Sequence, residues 1–515
     1  MGLIPPRVKD EPVAKYSRSR PFRYTGAVMG FVGDVFQFVS PLVPAAITLA
    51  ISLIATGHAI LYKRDSRAAV AWVGLIWLVP IVGTILYVLL GINRVRRRVA
   101  GRRGRESTLL TDLDPIACSV ADLSSVLPDD RRHLAEMALL SGSLTRLQLL
   151  RGNAIEPLFD GDEAYPAMIE AIEEATRSIS LCVYIFDNDR IGGRFVDALA
   201  RAVERGVDVC VLVDAVGARY SMPPVTNRLR KRGVRTALFM SGVLTWRTPY
   251  LNLRNHRKVL VVDGTIGFTG GMNIRDSHLL EANPAHKARD THFRVTGPLV
   301  RQLQAVFAED WQFTTGELLM GDRWFPGPEV GAGSVYARVI PDGPDKNLDR
   351  MSMGFLGALA VARHSVRIMT PYFLPDRALI TALNICSLRG VEVDIVLPSE
   401  NNLRMVAWAS MAQMWQVLEW ECRVWMTAPP FDHSKLMVVD DALSLIGSSN
   451  WDPRSLRLNF ELGVECYSVE LASRLRAEIE RKMAGAHRLT LEEVDRRPLH
   501  IKLRDGIVRL AAPYL

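Results

Sequence analysis

Two short strings constrain this chain more than anything else in it. The first is His256-Arg-Lys-Val-Leu-Val-Val-Asp263, followed by Gly270-Gly-Met-Asn273; the second is His433-Ser-Lys-Leu-Met-Val-Val-Asp440, followed by Gly447-Ser-Ser-Asn450. In both, Lys follows His by two positions and Asp follows Lys by five, while the first Gly and the Asn stand 14 and 17 positions after the His. One such octet arises by chance; two with a matched Gly and Asn echo mark a duplication. The flanks repeat as well. Residues 167–175 read as helix and 178–186 and 205–214 as strands, and 355–362, 365–373 and 389–397 repeat that order. Helices alternating with β-branched runs imply α/β lobes around mainly buried sheets. The shared Arg-Gly-Val-acid-Val at 205–209 and 389–393 suits a turn from helix into strand, where Gly is favoured.

The spacing makes chemical sense. On a strand, residues two apart share a face, so His256 and Lys258 point the same way, as do His433 and Lys435. Asp263 and Asp440 complete the catalytic set in structural and orienting roles. Small residues at Gly270, Gly271, Gly447 and Ser448 let backbone approach an anion, which places Gly271 and Ser448 beside a substrate phosphate. Asn273 and Asn450 offer amide donors to its oxygens. Two such half-sites face to face put two imidazoles and two ammonium groups around one phosphate. That set suits a two-step substitution: one imidazole attacks phosphorus while the opposing imidazolium protonates the departing oxygen, then takes the proton of the incoming hydroxyl. The lysines stabilise the crowded negative charge. No Cys/His/carboxylate cluster with metal-ligand spacing accompanies the motif, so no metal or cofactor is expected.

The paired motifs resemble the phospholipase D superfamily, whose members share this double signature. Longer passages are similar to bacterial cardiolipin synthases of the phospholipase D type. Among them are Pro80-Ile-Val-Gly-Thr-Ile-Leu-Tyr87, Tyr184-Ile-Phe186, Arg254-Asn-His-Arg-Lys258, Arg289-Asp-Thr-His-Phe-Arg294, Asp310-Trp-Gln-Phe-Thr-Thr-Gly-Glu317, Thr370-Pro-Tyr-Phe-Leu-Pro375 and Arg454-Ser-Leu-Arg-Leu-Asn-Phe-Glu461. The resemblance runs from about Gly57 to about Val469 and leaves the tail after Glu470 outside. It implies two duplicated lobes forming one α/β catalytic body, at 141–330 and 331–515. It implies that a carboxylate downstream of each motif, Asp290 and Glu461, fixes a catalytic imidazole through Nδ1, with His256 as nucleophile and His433 as acid/base. The implied reaction converts two phosphatidylglycerols into cardiolipin and glycerol. Hydrolysis by water, or a different donor such as phosphatidylethanolamine, would use the same residues.

Residues 42–61 and 68–92 contain no Asp, Glu, Lys or Arg, and each is long enough to cross a bilayer, for which a helix needs about 20 residues. They read as a two-helix transmembrane hairpin within 41–92. Charge supports this. Residues 1–105 hold 16 Lys+Arg against 4 Asp+Glu, whereas the remaining 410 hold 47 against 51, so the net +8 belongs wholly to the N-terminal end. Basic residues flank the hairpin from Arg7 to Arg23 and from Arg94 to Arg105, which predicts a multi-pass protein with its body on the cytoplasmic side, in what the resemblance implies is the bacterial inner membrane. Residues 93–140 read as a basic juxtamembrane linker, whose arginines at 94–105 either attract anionic lipid headgroups or serve only as a topology signal. Within the basic segment 1–40, Val28, Phe31, Val32, Val35, Phe36 and Val39 fit either an interfacial amphipathic helix or one packed on the body. His58 is assigned to the interface, and Trp408, Trp415, Trp420 and Trp425 to packing in the second lobe. A slightly acidic body argues against nucleic acid, which needs a basic groove. Phosphatidylglycerol, cardiolipin and anionic membrane lipids are the expected partners; the sequence leaves the oligomeric state open. The six cysteines form no CxxC pair and read as buried thiols.

Overall fold

The computed structural model describes residues 25–63, 66–91, 117–240, 253–282, 286–327 and 331–512. The chain divides into two compact units, Met1–Asn93 and Arg94–Leu515. The arginine run at 94–105 lies outside the described residues, as do the basic residues from Arg7 to Arg23 and the side chains of 28–39.

In the first unit, Thr25–Tyr62 is one helix of 38 residues, so the amphipathic segment and the first apolar stretch are continuous. Among the described residues, only Val43–Tyr62 is long and apolar enough to cross a membrane by itself. The second stretch, expected as one helix, is broken into Ser66–Leu78, Pro80–Leu86 and a π turn at Tyr87–Gly91. Pro80 lacks an N–H and its ring collides with the preceding turn, so the helix restarts there. Gly83 then packs so tightly on Leu75 that a Cβ would stand 2.3 Å from its carbonyl oxygen. Polar bonds tie the stretches together: Trp77 Nε1 donates to Thr56 Oγ1 at 3.1 Å, and His58 Nδ1 lies 2.7 Å from the Tyr87 hydroxyl. His58 therefore has a partner on the second stretch.

In the second unit, both lobes carry the same sheet. Across the first, the order is Leu149–Phe159, Thr291–Thr296, Ile266–Gly270, Val259–Val262, Ser178–Val183, Asp208–Asp214 and Arg235–Phe239. The second repeats it as Val335–Asp342, Asn459–Tyr467, Leu443–Gly447, Leu436–Val439, Ser365–Met369, Glu392–Pro398 and Arg423–Thr427. In each, the last three strands run parallel and the others antiparallel. The sheets join where Leu149–Phe159 pairs with Val335–Asp342. Apolar runs without alternation follow from burial on both faces. Val259 and Val261 enter a core shared between the lobes, with Leu436 and Val438, while Leu260 and Val262 enter the first lobe's outer core and Met437 and Val439 the second's. Helices Leu299–Thr315 and Val469–Ala484 fill the shared core with Leu303, Phe307, Leu475 and Ile479.

Two expectations need correction. Residues 117–140 are not a linker: Ala117–Cys118 pairs with Leu149–Leu150, and Leu123, Leu127, Leu134 and Met137 are buried in the second lobe's core. Their apolar spacing supplies a stripe that helix Arg350–Val361 covers. The tryptophans pack only in part, since Trp415 and Trp420 stay half exposed. All six cysteines are free, and five are buried.

Candidate active site

Each His-x-Lys triplet sits between two short strands. Arg254–Asn255 precedes His256 and Val259–Val262 follows Lys258; Phe431–Asp432 and Leu436–Val439 frame the second copy. The leading strands pair across the lobes. Arg254–Asn255 runs parallel to Asn459–Phe460, and Phe431–Asp432 parallel to Ala288–Arg289. The His256 amide donates to the Phe460 carbonyl at 2.9 Å, and the His433 amide to that of Arg289 at 2.8 Å. The next residue along each partner strand is Glu461 or Asp290.

The carboxylates are therefore exchanged between lobes. His256 Nδ1 lies 3.1 Å from Glu461 Oε2, and His433 Nδ1 lies 2.8 Å from Asp290 Oδ2. Each carboxylate stands downstream of one motif and serves the histidine of the other. With both Nδ1 atoms engaged, Nε2 of each ring is left for chemistry. Lys258 Nζ donates to the His256 carbonyl at 2.6 Å; Lys435 Nζ donates to the His433 carbonyl and lies 2.9 Å from its Nδ1. Tyr184 and Tyr372 flank the pair, their rings 5.1 Å from His256 and 6.0 Å from His433.

Burial dominates the electrostatics. It pushes Lys258 down to about 7 and Lys435 to about 8. It lowers His256, against the pull of Glu461, and drives His433 well below the usual imidazole range, reinforced by Lys435, Lys258 and His256. Burial alone would raise Glu461, but His256, Lys258 and the Ser448 hydroxyl hold it down to about 2. Asp290 goes the other way: burial raises it in spite of Lys435. The two half-sites share one enclosed field, rich in cations that an anionic phosphodiester would stabilise.

The remaining expected residues fall in different places. Ser448 donates its hydroxyl to Glu461, and a Cβ at Gly271 would stand 2.3 Å from Asp290 Oδ1. Small residues here make room for the orienting carboxylates. Asn273 Oδ1 accepts the Ile185 amide at 3.0 Å, whereas the buried Asn450 Oδ1 accepts no hydrogen bond among the described residues. Asp263 and Asp440 stand apart from the imidazoles and hold backbone instead. Asp263 accepts the amides of Thr176, Arg177 and Ser178. Asp440 accepts those of Arg363, His364 and Ser365 and meets the buried His133 at 2.7 Å. Both fasten a turn at the far end of their strand.

Sequence reasoning missed Arg257. It is buried between His256 and Lys258, donates to both Asp310 oxygens at 2.8 Å, and reaches the carbonyls of Glu461 and Asp342 at 2.9 Å. It locks the lobes together behind the site. The signal was the charged x position inside His-x-Lys, where the second copy has Ser434.

Comparison with known proteins gives this geometry a family. The description "Cardiolipin synthase, PLD-like domain" matches residues 168–311 and 355–483, one block in each lobe. The major cardiolipin synthase ClsA of Bacillus subtilis (strain 168) is 30% identical over 463 residues, covering 88% of this chain and 95% of its own. This chain belongs to the phospholipase D-type cardiolipin synthases. A cardiolipin synthase of Oceanobacillus iheyensis is likewise 30% identical over 477 residues, covering 91% of this chain and 97% of its own. "Phospholipase_D-nuclease N-terminal" matches residues 50–91. With the apolar helix Val43–Tyr62, that match makes this a membrane protein of the family. The phosphatidylserine synthase of Haemophilus influenzae Rd KW20 shares the fold, with a TM-score of 0.56 at 16% identity over 74% of this chain and all of that one. Family membership makes the protein a phosphatidyltransferase with phospholipid substrates.

Proposed function

We propose that the protein makes cardiolipin by moving a phosphatidyl group from one phosphatidylglycerol to another. One observation carries the reading: two imidazoles, each tied through Nδ1 to a carboxylate of the opposite lobe, share one buried field with Lys258 and Lys435. The phosphate charge raises the proton affinity of His433, which takes up a proton as substrate binds. His256 Nε2 then attacks phosphorus, the bond to the glycerol oxygen breaks, and His433 gives that oxygen its proton. The product is a phosphatidyl-histidine. The terminal hydroxyl of a second phosphatidylglycerol enters, His433 takes its proton, and the phosphorus–nitrogen bond breaks. Lys258 and Lys435 donate to the non-bridging oxygens throughout. Glu461 favours His256 as the nucleophile, because a carboxylate this firmly ionised supports the cationic phospho-imidazole.

The basic flanks favour a multi-pass hairpin with the body on the cytoplasmic side. Anchoring keeps donor and acceptor in the same two-dimensional phase as the enzyme, which raises their effective concentration. The deciding experiment is the purified full chain in phosphatidylglycerol vesicles, with lipid products read by mass spectrometry. Cardiolipin and glycerol are expected in equal amounts; phosphatidic acid without cardiolipin would replace the transferase with a hydrolase.

A further inference from the structure

The C-terminal helix, Leu499–Leu510, lies beyond the family match that ends at residue 483 and carries two apolar faces. One is used inward. Val508 and Ala512 pack with Leu374, Val406 and Ala409 against Tyr372, the ring that stands 6.0 Å from His433. Arg504 stacks on Trp408 with its guanidinium carbon 4.1 Å from the ring centre, and the buried Asp505 pairs with Arg497 at 2.7 Å. No element among the described residues covers the other face. Leu499, Leu503, Ile507 and Leu510 are 71%, 57%, 67% and 79% exposed. At about 100° per residue, these four fall within an arc of about 80°, with Lys502 and Arg509 along one edge and His500 and Arg504 along the other.

We infer that this helix lies in the surface of an anionic bilayer, its leucine face among the acyl chains and its cations at the phosphates, and holds the rim of the catalytic site against the lipid. Three observations choose this occupant over a second copy of the chain. Lys502 and Arg509 border the apolar stripe on one side, with His500 and the Trp408-stacked Arg504 on the other, an arrangement expected for an interfacial helix and complementary to acidic headgroups. A stripe of four side chains is far too small for a stable dimer, which needs about 800 Å² from each partner. The helix packs directly on Tyr372, whose ring stands 6.0 Å from that of His433, so seating it in the headgroup layer holds this side of the site near the lipid.

The inference rests on the proposed phospholipid reaction for its purpose, but its test reads burial rather than turnover. Leu503→Cys and Ile507→Cys variants of the full chain, labelled with an environment-sensitive fluorophore, are reconstituted in vesicles of phosphatidylcholine with one-third phosphatidylglycerol. A spin-labelled phosphatidylcholine serves as quencher. Glu204→Cys, on the exposed face of the first lobe, is the water-facing control. At least threefold stronger quenching at 503 and 507 than at 204 is expected, falling severalfold when phosphatidylglycerol is omitted. Labels at 503 and 507 that quench no more than the control overturn the proposal. Labels shielded from water yet unquenched, in chains that cross-link through Cys at 503, would make the stripe a contact between copies and overturn it too. Wild-type chain that forms no cardiolipin while both labels quench would sink the reaction and leave the helix standing.

Discussion

The two half-sites are built alike and are tuned differently. His256 faces Glu461, which accepts hydrogen bonds from Ser448, Ser455 and Asn459 as well and titrates at about 2. His433 faces Asp290, whose carboxylate burial raises, and shares its Nδ1 with Lys435. The extra methylene of Glu lets its carboxylate gather four donors, so it stays ionised where the shorter Asp is less well stabilised. Duplication supplied the same parts twice. The residues that hold those parts differ, which gives the pair one imidazole backed by a firmly ionised carboxylate and one whose carboxylate partner burial raises.

The comparison breaks most visibly at the histidines. Either His256→Ala or His433→Ala should lower cardiolipin formation at least ~10³-fold. With a donor whose leaving group needs no proton, His433→Ala should still form a covalent lipid adduct and His256→Ala none, as read by intact-protein mass spectrometry. An adduct on His256→Ala alone would reverse the roles. Next come the carboxylates, where loss of an orienting anion costs on the order of 10² to 10⁴-fold in kcat. Glu461→Gln should lie nearer the upper end and Asp290→Asn nearer the lower; equal losses would show that the electrostatic asymmetry is without kinetic weight.

The pH profile sharpens the same contrast. Protonation of His256 stops attack on the acid side, below the ordinary imidazole value because burial lowers it. On the alkaline side kcat/KM should fall as pH rises through about 7 and 8, where Lys258 and then Lys435 lose their protons. Lys258→Arg, which stays charged, should move that limb upward. Behind the site, Arg257→Met leaves Asp310 buried without its guanidinium and should destabilise the body by about 3–5 kcal/mol, measured by denaturant unfolding. The smallest effects belong to the turn aspartates. Asp263→Ala and Asp440→Ala should each cost about 1–3 kcal/mol of stability. Asp440→Ala should cost more, because it also strands the buried His133.

Much of this was legible in the residues. Val259–Val262 and Leu436–Val439 are apolar at every position, which already demanded sheets covered on both faces, and the matched spacings demanded two lobes. Helix continuity was harder to see, because hydropathy averages over Pro80 while the backbone cannot. Residues 117–140 were hidden for a related reason: the arginines before them coloured the whole stretch as linker, although Leu123, Leu127, Leu134 and Met137 carried a core-facing stripe. Gly271 and Ser448 read as small residues that let an anion approach, and the close anionic neighbours in the fold are the Asp290 and Glu461 carboxylates.

By itself the sequence determined the inventory: two histidines, two lysines, two carboxylates, a duplicated α/β body and an apolar N-terminal end, because composition and spacing are local properties of the chain. Only the tertiary structure decided who serves whom. The pairings of Arg254–Asn255 with Asn459–Phe460 and of Phe431–Asp432 with Ala288–Arg289 cross between lobes, so each histidine meets a carboxylate 205 or 143 positions away. No local pattern encodes that exchange. It follows from docking two similar sheets over one shared core, which places each lobe's motif against the other lobe's strand.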